Sequence, residues 1–300
     1  PIAPMIPARS EWQYRNHAQF ALNGQGQLCY RAHGSHNLVP IRECPILAPP
    51  LVEMFNTLEL DGADFDAVNL RAGINTNEKM IVFESSDPAP PAIEIDEPVS
   101  IAFQVRGVVV PLIGNDKIHE TLRGRTYAYS PNAFFQVNTP MAEKLIELVR
   151  EFLAPRGDET LLDAYSGVGL FGLSLANQVA RVVMVEENPS ALQDARANAG
   201  ELTNVEFHAG RVEEVLPGLD RSFELAVLDP PREGCDKRVI ESLVQASPHT
   251  VVYVSCDPAT LARDAARFIA AGYRLDLVQP VDLFPQTYHI ECVTKFSLPD

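Results

Sequence analysis

Apolar and polar positions along the chain keep two different rhythms, and the change between them falls near residue 130. From residue 11 onward, short runs rich in β-branched and aromatic residues alternate with turn signals. QYRNHAQFAL (13–22), QLCYRA (27–32), DAVNLRA (66–72), KMIVFES (79–85), SIAFQVRGVVV (100–110) and RTYAYS (125–130) read as strands. Breaks such as NGQGQ, AHGSHN and GINTNEK read as their connections. One helix is predicted over 48–59, APPLVEMFNTLE, and residues 85–98 form a Pro-rich acidic loop with no helical period. TPMAEKLIELVREFLAP (139–155) then predicts an amphipathic helix with Thr139 as N-cap and Pro140 in its first turn. Beyond it, apolar runs alternate with helical stretches: TLLDAYSG, VARVVMVEE, NVEFHAG, SFELAVLDPP and TVVYVSCD. Continuous β-branched runs separated by helices call for a parallel sheet covered on both faces. The last two runs, YRLDLVQPVDLFP and HIECVTKFSL, have no helix between them and predict an antiparallel closing pair at the sheet edge. The pattern therefore predicts a β-rich α+β domain over 1–128 and a doubly wound α/β domain over 129–300.

The second domain carries the chemistry. LLDAYSGVGLFGLSLA sets Gly167, Gly169 and Gly172 between a strand and a helix, where glycines permit a tight turn and close approach of a ligand to the helix N-terminus. Glu186 ends the next strand, about 20 residues on, and is placed to accept hydrogen bonds from a ribose diol. Alone, these features suit either a dinucleotide or S-adenosylmethionine, or a turn that needs glycine only for packing. Asp163, four residues before the first glycine, favours the second ligand, because an acid suits a cationic amine and sulfonium and repels a pyrophosphate. Asp229-Pro230-Pro231 ends the fourth strand of this half and sets a carboxylate and a rigid turn on the carboxyl edge of the sheet. That edge is where open α/β sheets bind ligands. Such a turn suits a methyltransferase that braces a planar nitrogen heterocycle; a plain helix N-cap is the other reading of Asp229.

Cys256, in VVYVSCDPATLARDAARF (251–268), closes the fifth strand of this half and emerges on the same edge. Asp257 is placed as N-cap and Pro258 in the first turn of a helix closing at Gly272, so the helix dipole is expected to favour the thiolate. A thiolate meets a chemical need there. Carbon 5 of uracil is too weakly nucleophilic to take a methyl group directly. Thiolate addition at C6 makes C5 enolate-like, and a base must then strip the C5 proton so that the thiolate leaves. Glu291, in FPQTYHIECVTKF (284–296), lies among apolar residues that raise its pKa toward a working value; a salt-bridged edge residue is its other reading.

Composition limits the partners. With 300 residues at 46% hydrophobic content, the chain can bury a core in one large domain or two ordinary ones. Its 24 Lys and Arg against 40 Asp and Glu leave a net charge of −16, which opposes nonspecific nucleic-acid binding without excluding a local basic groove. No run approaches the ~20 apolar residues that cross a bilayer, and no basic-then-apolar start reads as a signal peptide. A cytoplasmic protein without a membrane partner is expected. The chain opens PIAPMIP without a methionine, which reads as a processed start or a piece of a longer protein. Cys29, Cys44, Cys235, Cys256 and Cys292 are odd in number and form no C-x-x-C pair. They argue for a reducing compartment and against a disulfide framework or a self-contained metal site.

Together, FFQVN (134–138), LLDAYSGVGLFG, VLDPPREG, YVSCDPATLARD and DLFPQTYHIECV resemble the RNA uracil-5-methyltransferase family, whose members make 5-methyluridine in tRNA and ribosomal RNA. The resemblance covers 129–298 and reaches back more loosely through EWQYRNHAQFAL and IRECPIL. It implies a Rossmann-like, S-adenosylmethionine-dependent methyltransferase domain, with Cys256 as nucleophile and Glu291 as the base for the C5 proton. It also implies Gln136, Tyr165, Gly167, Gly169, Glu186 and Asp229 as cofactor-site residues, with Gln136, Asp229 and Phe135 near the target base. This sequence departs from the pattern in three places. Many members begin with a small RNA-binding β-barrel, the TRAM domain, which is not represented before Pro1. Of the iron–sulfur cysteines that many members carry, only Cys44 is matched, and no cluster is expected in this chain. Arg211 stands where members more often place an acidic or amide residue near the adenine.

The RNA, tRNA or rRNA, is expected over the β-rich domain, with Arg15, Arg123 and Arg125 as candidate phosphate contacts. Phe134, Phe135 and Tyr288 are candidate stacking surfaces for a flipped base or its neighbours. Ordinary surface charges and core rings are the plainer readings of these six, and His289 reads as a structural hydrogen-bonding partner. Two other functions stay open. Methylation at cytosine C5 usually needs a second cysteine in the fourth-strand loop, where Asp229-Pro230-Pro231 stands and Cys235 lies too far along. An RNA-folding factor with a vestigial site is opposed by the retention of both Cys256 and Glu291.

Overall fold

In the first half the short alternating runs pair into one seven-stranded sheet. Its strands are β1 (His17–Leu22), β2 (Leu28–Arg31), β3 (Leu38–Pro40), then, after helix α1 (Pro49–Thr57), β4 (Ala67–Gly73), β5 (Glu78–Ser85), β6 (Ser100–Val105) and β7 (Val108–Ile113). They lie in the order β3-β2-β1-β4-β5-β6-β7, and β8 (Ile118–Leu122) and β9 (Arg125–Tyr129) form a separate hairpin. The computed structural model describes residues 1–32, 34–60, 65–90, 92–94, 97–219 and 221–299, so residues 91, 95 and 96 of the Pro-rich loop lie outside the described residues. The single run predicted over 100–110 is two strands, because Arg106 (φ 50°) and Gly107 (φ 80°) reverse the chain between β6 and β7. Two successive positive φ values are what a two-residue hairpin turn requires. α1 begins with a proline pair and sinks Leu51 and Met54 into a core of Phe20, Val68, Leu70 and Phe83. Within the same unit Glu120 is fully buried, accepting from Ile74 N and Asn75 N at 2.8 and 2.9 Å and from Thr139 Oγ1 at 2.8 Å.

The second half is a doubly wound α/β fold. α2 (Thr139–Leu153) leads into β10 (Thr160–Ala164), α3 (Leu170–Leu175), β11 (Arg181–Glu186), α4 (Pro189–Ala199), β12 (Val205–Ala209) and α5 (Val212–Val215). β13 (Leu225–Leu228), α6 (Lys237–Ala246), β14 (Thr250–Ser255), α7 (Pro258–Ala270), β15 (Arg274–Val281) and β16 (Glu291–Ser297) complete it. The sheet order is β12-β11-β10-β13-β14-β16-β15. β10 to β14 pair in parallel, and β16 is antiparallel to both β14 and β15. The antiparallel closing pair is present, with the last strand inserted inside the sheet and β15 outside it. Helix starts follow local chemistry: the Asn188, Asp236 and Asp257 side chains cap α4, α6 and α7 by accepting first-turn amide hydrogen bonds.

By contacts the chain divides into two compact units, one of Ser10–Asn132 and Gln136–Thr139, the other of Pro1–Arg9, Ala133–Phe135 and Pro140–Asp300. The first residues of the chain therefore belong with the α/β unit. Ala3 N and Ile6 N donate to Val278 O and Pro280 O on β15 at 2.9 and 3.0 Å, occupying its outer edge. Among the described residues no helix is long and apolar enough to cross a membrane.

Candidate active site

Parallel strands present their carboxyl ends on one side of a sheet, and β10 and β13 are the neighbours at which the winding reverses direction. A crevice forms at such a switch point. β10 carries Asp163 toward it, β11 ends at Glu186, and β13 is followed by Asp229. Because β16 runs antiparallel, its first residue lies at the edge where β14 ends. Ser255 pairs with Cys292, so the next position along the ladder sets Cys256 opposite Glu291.

The charges of these groups reach one another. Burial pushes Asp163 up to about 7, against the pull of the Gly172 amide, with Glu186 adding to the rise. Burial also pushes Asp229 up to about 7, and Asp163 adds to that. Glu291 is raised well above the usual carboxylate range by burial and then by Asp229. Glu186, Asp163, Asp229 and Glu291 thus form one row of acids that ends at Cys256. Asp163, Asp229 and Glu291, like charges this close in a buried setting, do not all ionise, and a bound cation relieves them. The Cys256 thiol itself is raised, by burial first and then by Glu291 and Asp229, while Arg232 pulls it down. The rise runs against the expectation of a ready thiolate at the start of α7: burial and two carboxylates push the thiol up.

The glycine loop fits a cationic, amine-bearing cofactor. Gly167 (φ 54°) has open space where a Cβ would stand, so ligand can approach the backbone there. Gly169 (φ 94°) is closed on its own side, since a Cβ would lie 2.5 Å from Leu173 Cδ1. Glu186 accepts from Gly167 N and Asn188 N at 2.7 Å each, and its two oxygens keep lone pairs for a diol. Asp163 Oδ2 accepts from Gly172 N at 2.7 Å, while Asp163 Oδ1 and Ser166 Oγ are buried with no hydrogen-bond partner among the described residues. Each orphaned atom costs about 1–3 kcal/mol, which a ligand with N–H donors recovers. Pyrophosphate offers no such donor.

A buried hub beneath the crevice holds its loops. Asp264 of α7 is fully buried and accepts from Cys235 N (2.9 Å), Tyr253 Oη (2.9 Å), Arg263 Nε (2.9 Å) and Arg267 Nη1 (3.0 Å). Arg263 Nη2 donates on to Glu233 O at 2.7 Å, so the segment following Asp229 is tied to the helix that begins beside Cys256. Tyr165, on the glycine loop in the left-handed region at φ 64°, has its phenol pushed up by burial first and then by Cys235 beside it. Asp264→Ala leaves several buried donors without their acceptor, and a loss of about 3–5 kcal/mol in unfolding free energy is expected. Chemical denaturation checks it; a loss below ~1 kcal/mol would deny the hub its role.

The remaining expected residues fall as follows. Phe135 is 6% exposed and Phe134 63%, so of these neighbours only Phe134 offers its ring at the surface of the α/β unit. Gln136 belongs to the other unit, where it is buried and its carbonyl accepts from Asn16 Nδ2 at 3.1 Å. Arg15 donates to His17 O, and Arg125 lies 5.8 Å from the Tyr127 ring centre. Asp229 is not a helix cap, because Asp236 caps α6. Cys44 accepts from the Tyr30 hydroxyl, and among the described residues no three His, Cys, Asp or Glu side chains group as metal ligands. Arg211 pairs with Glu213. Two residues went unremarked in the sequence. Arg232 follows the Pro-Pro turn directly, which was its one signal, and Asp264 reads there as an ordinary charge on a helix.

The strand order, the open glycine loop and the acid-lined switch point define a methyltransferase of the doubly wound class. A family model described as tRNA (uracil-5-)-methyltransferase matches residues 110–297. An uncharacterized RNA methyltransferase of Lactococcus lactis is 35% identical, over 99% of this chain and 74% of its own length. Another, from Streptomyces avermitilis, is 35% identical over 96% of this chain and 68% of its own. The crystal structure of the Pyrococcus abyssi tRNA (uracil-54, C5)-methyltransferase in complex with S-adenosyl-L-homocysteine superposes with a TM-score of 0.79 at 30% identity, covering 97% of this chain and 78% of that one. The chain belongs to the tRNA (uracil-5-)-methyltransferase family. It is an enzyme, an S-adenosylmethionine-dependent RNA methyltransferase.

Proposed function

We propose that this enzyme forms 5-methyluridine in cytoplasmic tRNA or rRNA, with Cys256 as nucleophile and Glu291 as base. The observation that carries the reading is the β14–β16 register, whose last rung, Ser255 with Cys292, brings the adjoining Cys256 and Glu291 to one edge, with Asp229 close enough to act on both. The α/β unit performs the transfer, and the β-rich unit adds to the surface that meets the RNA. S-adenosylmethionine supplies an electrophilic methyl group when held by the glycine loop, Glu186 and the free Asp163 oxygen. A positive charge bound in the crevice, together with Arg232, favours the thiolate of Cys256 and the carboxylate of Glu291. Cys256 Sγ then bonds to uracil C6, and the displaced π electrons move toward C5 and O4. Once C5 carries the methyl group, Glu291 takes the C5 proton. The electron pair left behind re-forms the C5=C6 bond and expels the thiolate. Asp229, buried and held near 7, can donate a hydrogen bond to a uracil edge while protonated.

The test uses purified protein, methyl-labelled S-adenosylmethionine, and tRNA and rRNA in separate reactions. The labelled nucleoside from at least one RNA is expected to match 5-methyluridine in mass and retention. A label in 5-methylcytidine, or none in either RNA, overturns the reading.

A further inference from the structure

Between β15 and β16 the chain passes through residues 282–290, and this loop is tied up by its own hydrogen bonds. Thr287 N and Oγ1 donate to Phe284 O at 3.2 and 2.7 Å, and His289 N donates to Thr287 Oγ1 at 3.2 Å. Gln286 turns the loop at φ 62°. The result is a preformed row of three rings. Phe284 meets His289 edge to face with centroids 5.9 Å apart, and the Tyr288 ring stands 4.1 Å from His289. Tyr288 is the outermost ring and is 74% exposed. Core packing does not account for so large an exposed ring on a loop this well fixed.

Its position points to an occupant. Ile290 separates the row from Glu291, and Arg232 Nη2 lies 3.1 Å from His289 Nε2. The same guanidinium acts on the Cys256 thiol. The row therefore stands at the mouth of the site, beside a cation in a chain of net charge −16. A uracil entering that site must leave its stack, and its neighbours lose a stacking partner as it does. A rigid exposed ring is the surface such a neighbour takes, since every base has a π-face.

We propose that Tyr288 is the stacking platform for an unpaired nucleotide adjacent to the target uridine, with Arg232 favouring its phosphate. This rests on the uridine methyltransferase reading above.

The experiment compares wild type, Tyr288→Ala and Tyr288→Phe on a short unpaired RNA with one central uridine, and on the same RNA with abasic neighbours. Base–aromatic stacking is worth ~1–3 kcal/mol, so Tyr288→Ala should raise the KM for RNA roughly 5- to 150-fold. The KM for S-adenosylmethionine, kcat at saturating RNA and the thermal midpoint should stay within about twofold or a few degrees of wild type, and Phe should restore the RNA KM. Abasic neighbours should weaken wild type by a similar factor and leave Tyr288→Ala little changed. An unchanged KM in Tyr288→Ala, or equal losses in Ala and Phe, overturns the platform. RNA affinity by fluorescence anisotropy reads it without turnover. A wild type that binds this RNA through Tyr288 yet never methylates uridine supports the platform and overturns the catalytic reading instead.

Discussion

Cys256→Ala is expected to lower methyl transfer to uridine by about 10⁴-fold or more, the scale seen when a catalytic nucleophile is removed. The thiol is half-buried opposite Glu291, and truncation to Ala removes one sulfur from a pocket mouth without exposing core. None of the groups assigned to the cofactor is lost: Asp163 and Glu186 sit on other strands, and Gly167 on the turn that follows β10. Calorimetric titration with S-adenosylhomocysteine should therefore give wild-type affinity. RNA carrying 5-fluorouridine should trap wild type as a covalent adduct, because fluorine in place of the C5 proton leaves Glu291 nothing to remove. The Ala variant should form none. Methyl transfer by Cys256→Ala within about a hundredfold of wild type would remove the nucleophile from the mechanism.

Glu291→Gln is expected to stop the enzyme one step later. Addition to C6 and methylation of C5 do not need the carboxylate, but release does, so RNA bound through Cys256 should accumulate on a denaturing gel with ordinary uridine. Overall turnover should fall about 10²- to 10⁴-fold, the usual worth of a positioned base. The substitution also removes one of the two carboxylates that raise the thiol, so the variant should form its adduct at lower pH than wild type. With Glu291 as the base, kcat/KM is expected to need this carboxyl deprotonated, and burial with Asp229 beside it raises the pH at which that happens. The rate should therefore fall on acidification at a pH above the ordinary carboxylate range. A Gln variant that turns over freely, or a wild-type profile flat down to pH 4, would overturn the base assignment.

Much of this architecture was legible because its signals are local. β10, β11, β13 and β14 are apolar almost throughout, as strands buried on both faces must be, and the Asp257 cap with Pro258 marks the start of α7 by chemistry within a single turn. β3, with three residues, and β8, with the polar core IHETL, carry no such period and leave no local signal in the sequence. The Arg106-Gly107 turn was missed because apolar residues flank it on both sides without a break. Phe134 and Phe135 are adjacent on the chain and opposite in exposure, a distinction that composition does not carry. Asp264 shows the same limit: only packing reveals that a charge in a helix of ordinary pattern is fully buried and accepts from four residues.

The amino-acid sequence by itself determined the chemistry available to this protein: a glycine turn with acids behind it, a thiol at a strand end, and a carboxylate in an apolar closing run. Each is a property of a few neighbouring residues. The tertiary structure alone decided that the last strand enters between β14 and β15, because strand pairing joins segments about 40 residues apart through contacts no local pattern encodes. That insertion sets Glu291 opposite Cys256. It also brings the thiol lost solvent and the nearby charges of Glu291 and Asp229, which push it up where its place at a helix start led one to expect a thiolate.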